Sequence, residues 1–462
     1  MTPRKLGGII FISTTPCHDA CDGAFVLIWR CDVERLFDEK ELLERIDLNY
    51  KRLEGDPYYQ ISDVFDNHQA RWPGDKEGRA LLAFVSHYKI NGRKLECMDL
   101  MIDKMPEAVN EHSCFGPLAG EVIFEQQLSG HSWLLRGLCE YYEQFGDLRA
   151  LDQIKKIYEN LFLPTKGLYS TYPVERSGKL EGGVSGYTTC VIDGWGLSSD
   201  VGCAFMSIDG LSHVYAITKD DGVRELVDEM IDVYLAIDKV ALKVQTHCTL
   251  TAARGMMRMY KLTGEHKYLA GAKSIYDIYV YSGGMTYTYQ NANWWGRNDT
   301  WTEPCAVVDS LMLAIELYRV TGDEKYRQVA ARVYHNGFAT AQRDNGGAGT
   351  DTVVTALEGG KDTLASRKYE AYFCCTMRLS EGLWFISQNK DLLYAALSGN
   401  VEKDERGVYM DGDIIYAEVS GDGEAYVEKI VEKDGYRLCP ILKYYRIPKE
   451  KFENTRQRII FK

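Results

Sequence analysis

Tyr318-Arg-Val-Thr-Gly322-Asp323 closes one apolar helical stretch and opens the next. The same pattern stands at Tyr142-Glu-Gln-Phe-Gly146-Asp147 and Tyr260-Lys-Leu-Thr-Gly264-Glu265, with a weaker copy, Tyr215-Ala-Ile-Thr-Lys219-Asp220, in which lysine replaces the glycine. Each copy reads as a helix ending in an aromatic residue. A glycine takes the left-handed position after the last turn, and an acidic residue opens the following helix. Upstream of Gly322, Ala306, Val307, Val308, Leu311, Leu313, Ala314 and Leu317 have helical spacing. Tyr326, Val329, Ala330 and Val333 continue the apolar face beyond it.

The copies begin at positions 142, 215, 260 and 318, so their spacing is 73, 45 and 58 residues. Repeated helix pairs joined by loops of variable length suit a closed α/α toroid or an open solenoid. Aromatic and glycine-rich loops, such as 286–295 and 344–350, favour the closed ring with one functional mouth. Past about Asn400 the pattern changes. Val408-Tyr-Met, the stretch 413–419 and the stretch 424–430 alternate or carry β-branched residues between Gly/Asp turns, and read as strands. The expected organisation is a helical barrel over 1–400 and a small β appendage over 401–462.

The 462 residues are 45% hydrophobic, enough for a large core, and the formal charge of −13 argues against nucleic acid or an anionic membrane as the main partner. No apolar run approaches the ~20 residues of a membrane span. Leu6 to Ile12 is short and broken by two glycines, which favours a strand over a signal peptide. Thirteen cysteines, odd in number and irregular in spacing, argue against a disulfide framework and for a reducing, cytoplasmic setting.

Two motifs carry chemistry. Trp301-Thr-Glu303-Pro-Cys305 precedes the helix that starts near Ala306, and Tyr372-Phe-Cys374-Cys375-Thr376 precedes another. Thiols at helix N-termini are favoured as thiolates. One carboxylate and three thiolates can fill a tetrahedral zinc shell. Plain packing of small core residues fits the same cysteines, and both readings stay open at this level. The 344–350 loop lacks the ending of a phosphate loop.

Glu-x-Cys before one helix and Cys-Cys before another, among Tyr-x-x-x-Gly-Asp helix pairs, resembles glycoside hydrolase family 127. That family includes bacterial β-L-arabinofuranosidases. The resemblance runs from roughly Arg71 to Asn389 and takes in Leu128-Ser-Gly-His131, Gln245-Thr-His247 and Asn298-Asp-Thr-Trp-Thr-Glu303-Pro-Cys305. It implies an (α/α)6 barrel, with zinc held by Glu303, Cys305, Cys374 and Cys375. It also implies Cys374 as the nucleophile of a retaining hydrolysis, and His131 and His247 lining a sugar pocket. Tyr289 and Trp294 could stack on the sugar or pack their loop, and the two histidines could instead satisfy buried polar groups. His213, on an apolar helix, reads as structural.

A retaining mechanism also needs a general acid/base. The family carries a glutamate for this upstream of its Glu-x-Cys, whereas Gly283 to Gly296 here has no carboxylate. Glu370, Glu125 or Asp299 could substitute, or the leaving group could need little protonation. A non-catalytic carbohydrate-binding or structural role for a retained zinc site, or epimerase or lyase chemistry with His247 or Tyr289 as base, are the other readings. The β region is shorter than the sandwich typical of the family, which leaves a homo-oligomer open.

Overall fold

The computed structural model describes residues 39–397 except 56, 59–64, 66–71, 118–121, 175, 177–189, 287–288, 298–301, 344 and 350–369. Outside that span it describes the backbone of strands at 9–12 and between 402 and 461. We number the longer helices α1 (Glu39–Leu53), α2 (Asp75–Asn91), α3 (Glu96–Ala108), α4 (Glu125–Phe145), α5 (Leu148–Ile157), α6 (Ser207–Thr218) and α7 (Asp221–Ala236). They continue as α8 (Thr246–Thr263), α9 (His266–Tyr281), α10 (Pro304–Thr321), α11 (Glu324–Arg332), α12 (Cys375–Gln388) and α13 (Lys390–Leu397).

The repeated pattern ends helices as its chemistry demands. Gly146, Gly264 and Gly322 sit at φ of 66°, 73° and 68°, each donating its N–H to the carbonyl of the tyrosine four residues back. Lys219 takes the same conformation at φ 55°, donating to the Tyr215 carbonyl at 3.0 Å. A residue with a Cβ pays about 1–2 kcal/mol there, which is why that copy looked weaker. The acidic residues then open the next helices: the Asp147, Asp220 and Asp323 side chains accept from backbone N–H groups of α5, α7 and α11.

Helices α2, α4, α6, α8, α10 and α12 pack each on the next, and α12 returns to α2. This is a closed inner ring, and the chain is an (α/α)6 barrel. Outside it, α3, α5, α7, α9 and α11 lie against the inner helices they follow, and α1 lies on α12. Inner helices are apolar nearly all round because both faces are covered; in α10 every residue from Pro304 to Ile315 is buried. Parts of the ring touch backbone to backbone. A Cβ on Gly78 of α2 would lie 2.2 Å from backbone atoms of Trp133 and Leu134 in α4, and one on Gly255 of α8 would meet the Ile208 carbonyl oxygen of α6 at 2.6 Å. Larger residues would force these helices apart.

Short strands lie at Ile9–Ile12 and between residues 402 and 461, among them Val408–Asp411 paired antiparallel with Ile414–Val419. Among the described residues, no helix is long and apolar enough to cross a membrane.

Candidate active site

The starts of α8, α10 and α12 meet at one end of the ring. Cys305 is the second residue of α10, Cys375 the first of α12, and Cys374 its cap. The Sγ atoms of Cys374 and Cys375 are 3.4 Å apart, and those of Cys305 and Cys375 3.7 Å. Consecutive helical residues point about 100° apart, so two neighbouring thiols converge only if the chain turns between them. Cys374 makes that turn, at φ −151° and ψ −64°. All three residues are buried, Cys374 at 7% exposure and Cys305 and Cys375 at 0%.

Glu303 caps α10 beside this cluster. Its Oε1 lies 3.0 Å from His247 Nδ1, and His247 Nε2 lies 3.5 Å from Asp309 Oδ2. Asn291 binds the two helix starts together, accepting from the Glu303 N–H at 2.8 Å and donating to Thr246 Oγ1 at 3.0 Å. Opposite them, Arg79 of α2 points Nη1 at Cys305 Sγ from 3.7 Å while its Nε donates to Asp75 at 2.8 Å. The Arg79 guanidinium lies 3.9 Å above the Trp133 ring, which stacks on His247.

The cluster could hold a cation. Burial drives the Cys305 and Cys375 thiols well above their ordinary range, and the Cys305 contact does the same to Cys374. Three adjacent thiolates would repel one another in a dry pocket. A divalent cation reverses that balance, since it deprotonates and gathers soft sulfur ligands. Two overlapping groups have the required closeness, Cys305/Cys374/Cys375 and His247/Glu303/Cys305. Burial raises the Glu303 carboxyl, but the charge and hydrogen bond of His247, with Arg79 and Cys305, together outweigh it and hold Glu303 below the usual range. Burial opposes the charge on His247, and Glu303 and Asp309 overcome it.

One turn deeper, the same helices carry a buried ionic lattice. Asp309 accepts from Thr251 at 2.7 Å, Arg254 at 2.9 Å and Arg378. Glu381 pairs with Arg136 at 2.8 Å, Arg254 at 3.1 Å and Arg378. Asp209 pairs with Arg136 at 3.1 Å and Arg258 at 2.5 Å. His247 touches both layers.

The remaining sequence candidates are placed as follows. His131 is fully buried, with Nε2 accepting from the Phe115 N–H at 3.0 Å and Nδ1 on the Gln127 carbonyl at 2.8 Å, and burial lowers it to about 4. Both its nitrogens serve the fold. Tyr289, at φ 59°, and Trp294 are 3% and 0% exposed and build the loop between α9 and α10. His213 lies 3.1 Å from Glu143 and contacts Arg136. Glu125 accepts from Tyr172 at 2.5 Å, Ser198 and Arg176, and Glu370 from Arg52, Tyr58, Asn345 and Thr376. Both carboxylates are engaged by several donors. Asp299 lies outside the described residues. Sequence reading missed Asp75, Arg79, Asp200 and Asp309, which are single charges with no motif around them.

Residues 279–384, which include all four expected zinc ligands, match the family model described as the beta-L-arabinofuranosidase GH127 catalytic domain. No curated protein matches the chain. A GH127 beta-L-arabinofuranosidase from Geobacillus stearothermophilus T6 is similar at 13% identity and a TM-score of 0.51, over 88% of this chain and 67% of that one. A GH76 α-mannanase from Bacteroides thetaiotaomicron is similar at 14% identity and 0.51, over 78% and 99%. A GH127 beta-arabinofuranosidase aligns at 15% identity and 0.49, over 83% of this chain, which spans 59% of that protein's length. At these identities the structural likeness speaks for the barrel. The resemblance to family 127 is borne out over the matched segment, and it supports a glycoside hydrolase.

Proposed function

We propose that this chain is a zinc-dependent, retaining glycoside hydrolase that removes a terminal furanosidic sugar of the β-L-arabinofuranosyl kind. The observation that carries this is the cluster itself: three thiols from two helix starts, beside a carboxylate and within the segment that matches a glycosidase catalytic domain. Glu303, Cys305, Cys374 and Cys375 would hold the metal. Bound there, zinc would keep the sulfurs anionic near neutral pH and fix their positions.

The chain's own groups do the rest. Cys374 Sγ attacks the anomeric carbon and is displaced later by water, so configuration is retained. Arg79 steadies the charge on Cys305. His247 orients Glu303 and ties it to Asp309, as partners of metal ligands commonly do. We assign residues 1–400 to the catalytic barrel and 401–462 to a β appendage. We also assign the protein to the cytoplasm, where a reducing environment preserves such thiols.

Cys374→Ser tests the reading. Turnover of p-nitrophenyl β-L-arabinofuranoside should fall to background while the circular dichroism spectrum stays that of the wild type. Undiminished turnover would sink it. The second reading, a non-catalytic carbohydrate-binding homologue, draws on the lack of a carboxylate in Gly283 to Gly296. Cys374-dependent hydrolysis of any glycoside would remove it.

A further inference from the structure

The reaction set out above needs a proton for the leaving oxygen, and four acids near the site are already engaged. Glu303 is held by His247, Asp75 by Arg79, Glu125 by Tyr172, Ser198 and Arg176, and Glu370 by Arg52 and Tyr58. Glu77 has an unpartnered Oε2, but its nearest charges are Asp75 and Lys76 at the start of α2. Asp200 differs from all of these. It is 6% exposed, and its Oδ1 is buried with no hydrogen-bond partner.

Its backbone is fixed. The Asp200 N–H donates to Ser198 Oγ at 3.1 Å, and its carbonyl accepts from the Cys203 N–H at 3.0 Å. The next residue, Val201, accepts from the Gln245 N–H at 3.1 Å, which stitches this turn to the helix start that carries His247. The groups whose charges reach Asp200 are Glu303, Glu125, Arg176 and His247, with Cys203 and Cys248 nearby. Arg176, the cation of this turn, is committed to Glu125 and the Ser198 carbonyl.

We propose that Asp200 is the general acid/base of this site, an inference that rests on the glycosidase reading. As Cys374 Sγ bonds to the anomeric carbon, the bond from that carbon to the leaving oxygen breaks. The oxygen keeps the electron pair and takes the Asp200 proton. The ionised Asp200 then takes a proton from water as the water oxygen attacks the same carbon. The carbon–sulfur bond breaks, and its pair returns to Cys374. Burial, then the charges of Glu303 and Glu125, raise the Asp200 carboxyl to about 8, so it holds a proton at neutral pH. A cation on Glu303 would draw that value down. Glu125 is ion-paired with Arg176, whereas Asp200 Oδ1 has no hydrogen-bond partner.

The test compares methyl and p-nitrophenyl β-L-arabinofuranoside with the zinc-loaded protein. In Asp200→Asn, kcat/KM on the methyl glycoside should fall about 10²–10⁴-fold. On the p-nitrophenyl glycoside, whose leaving group needs no proton, the loss should stay below about tenfold, and azide should raise kcat. Wild-type kcat/KM on the methyl glycoside should show an alkaline limb at or below about 8, a readout that needs no variant. Equal losses on both glycosides, or no loss on either, would overturn Asp200 while Cys374-dependent turnover by the wild type left the glycosidase reading standing. A wild type inactive on both, or turnover that survives Cys374→Ser, would overturn the reading and the role together.

Discussion

The cysteine mouth and the ionic lattice one turn below it are built on the same helices, yet they settle their charges in opposite ways. In the lattice, Asp309, Glu381 and Asp209 meet Arg136, Arg254, Arg258 and Arg378 within the protein. At the mouth, three thiols and Glu303 crowd together, and the cations at hand are His247 and Arg79, each shared with another acid. The lower layer is complete without help. The upper one is a group of closely spaced side chains that could hold a cation from outside. Burying charge is expensive unless it is paired, so the lattice earns its place as a rigid footing for the mouth.

Breaking the lattice should have the largest effect. Asp309→Ala strands Arg254, Arg378 and His247 in the core and should cost about 3–5 kcal/mol, read as a shift in the denaturant midpoint whether or not metal is present. Metal removal should strike the mouth alone. With free zinc at a hundred times its Kd, chelation should lower the unfolding free energy by about 2.7 kcal/mol, and the loss should vanish in Cys305→Ser. If chelation costs Cys305→Ser as much as the wild type, the cysteines are not what holds the metal. His247→Gln should sit between the layers and have the smallest effect. It should weaken zinc binding about 10–100-fold by competition with a chromophoric chelator, with little change in the stability of the metal-free protein.

How much was legible in the sequence depended on whether the signal was local. The Tyr-x-x-x-Gly-Asp pattern spans a single helix end, so its geometry could be read directly, even where Lys219 stands in for glycine. The convergence of Glu303, Cys305, Cys374 and Cys375 was legible because two short motifs carry them. Arg79 and Asp309 reach the site from separate elements, and nothing beside them in sequence marks them out. His131 shows the limit from the other side. A histidine at the start of an inner helix fitted both a sugar pocket and a satisfied core position, and only its contacts with Phe115 and Gln127 separate the two.

Ring closure has a consequence for biogenesis. Arg79 belongs to the first inner helix and the vicinal cysteines to the last, nearly 300 positions later along the chain. A chain emerging from the ribosome therefore presents Glu303 and Cys305 well before their sulfur partners exist. On the proposed reading, metal capture would be the final act of assembly, since the ligand set, with Arg79 against it, exists only once the first and last inner helices have met.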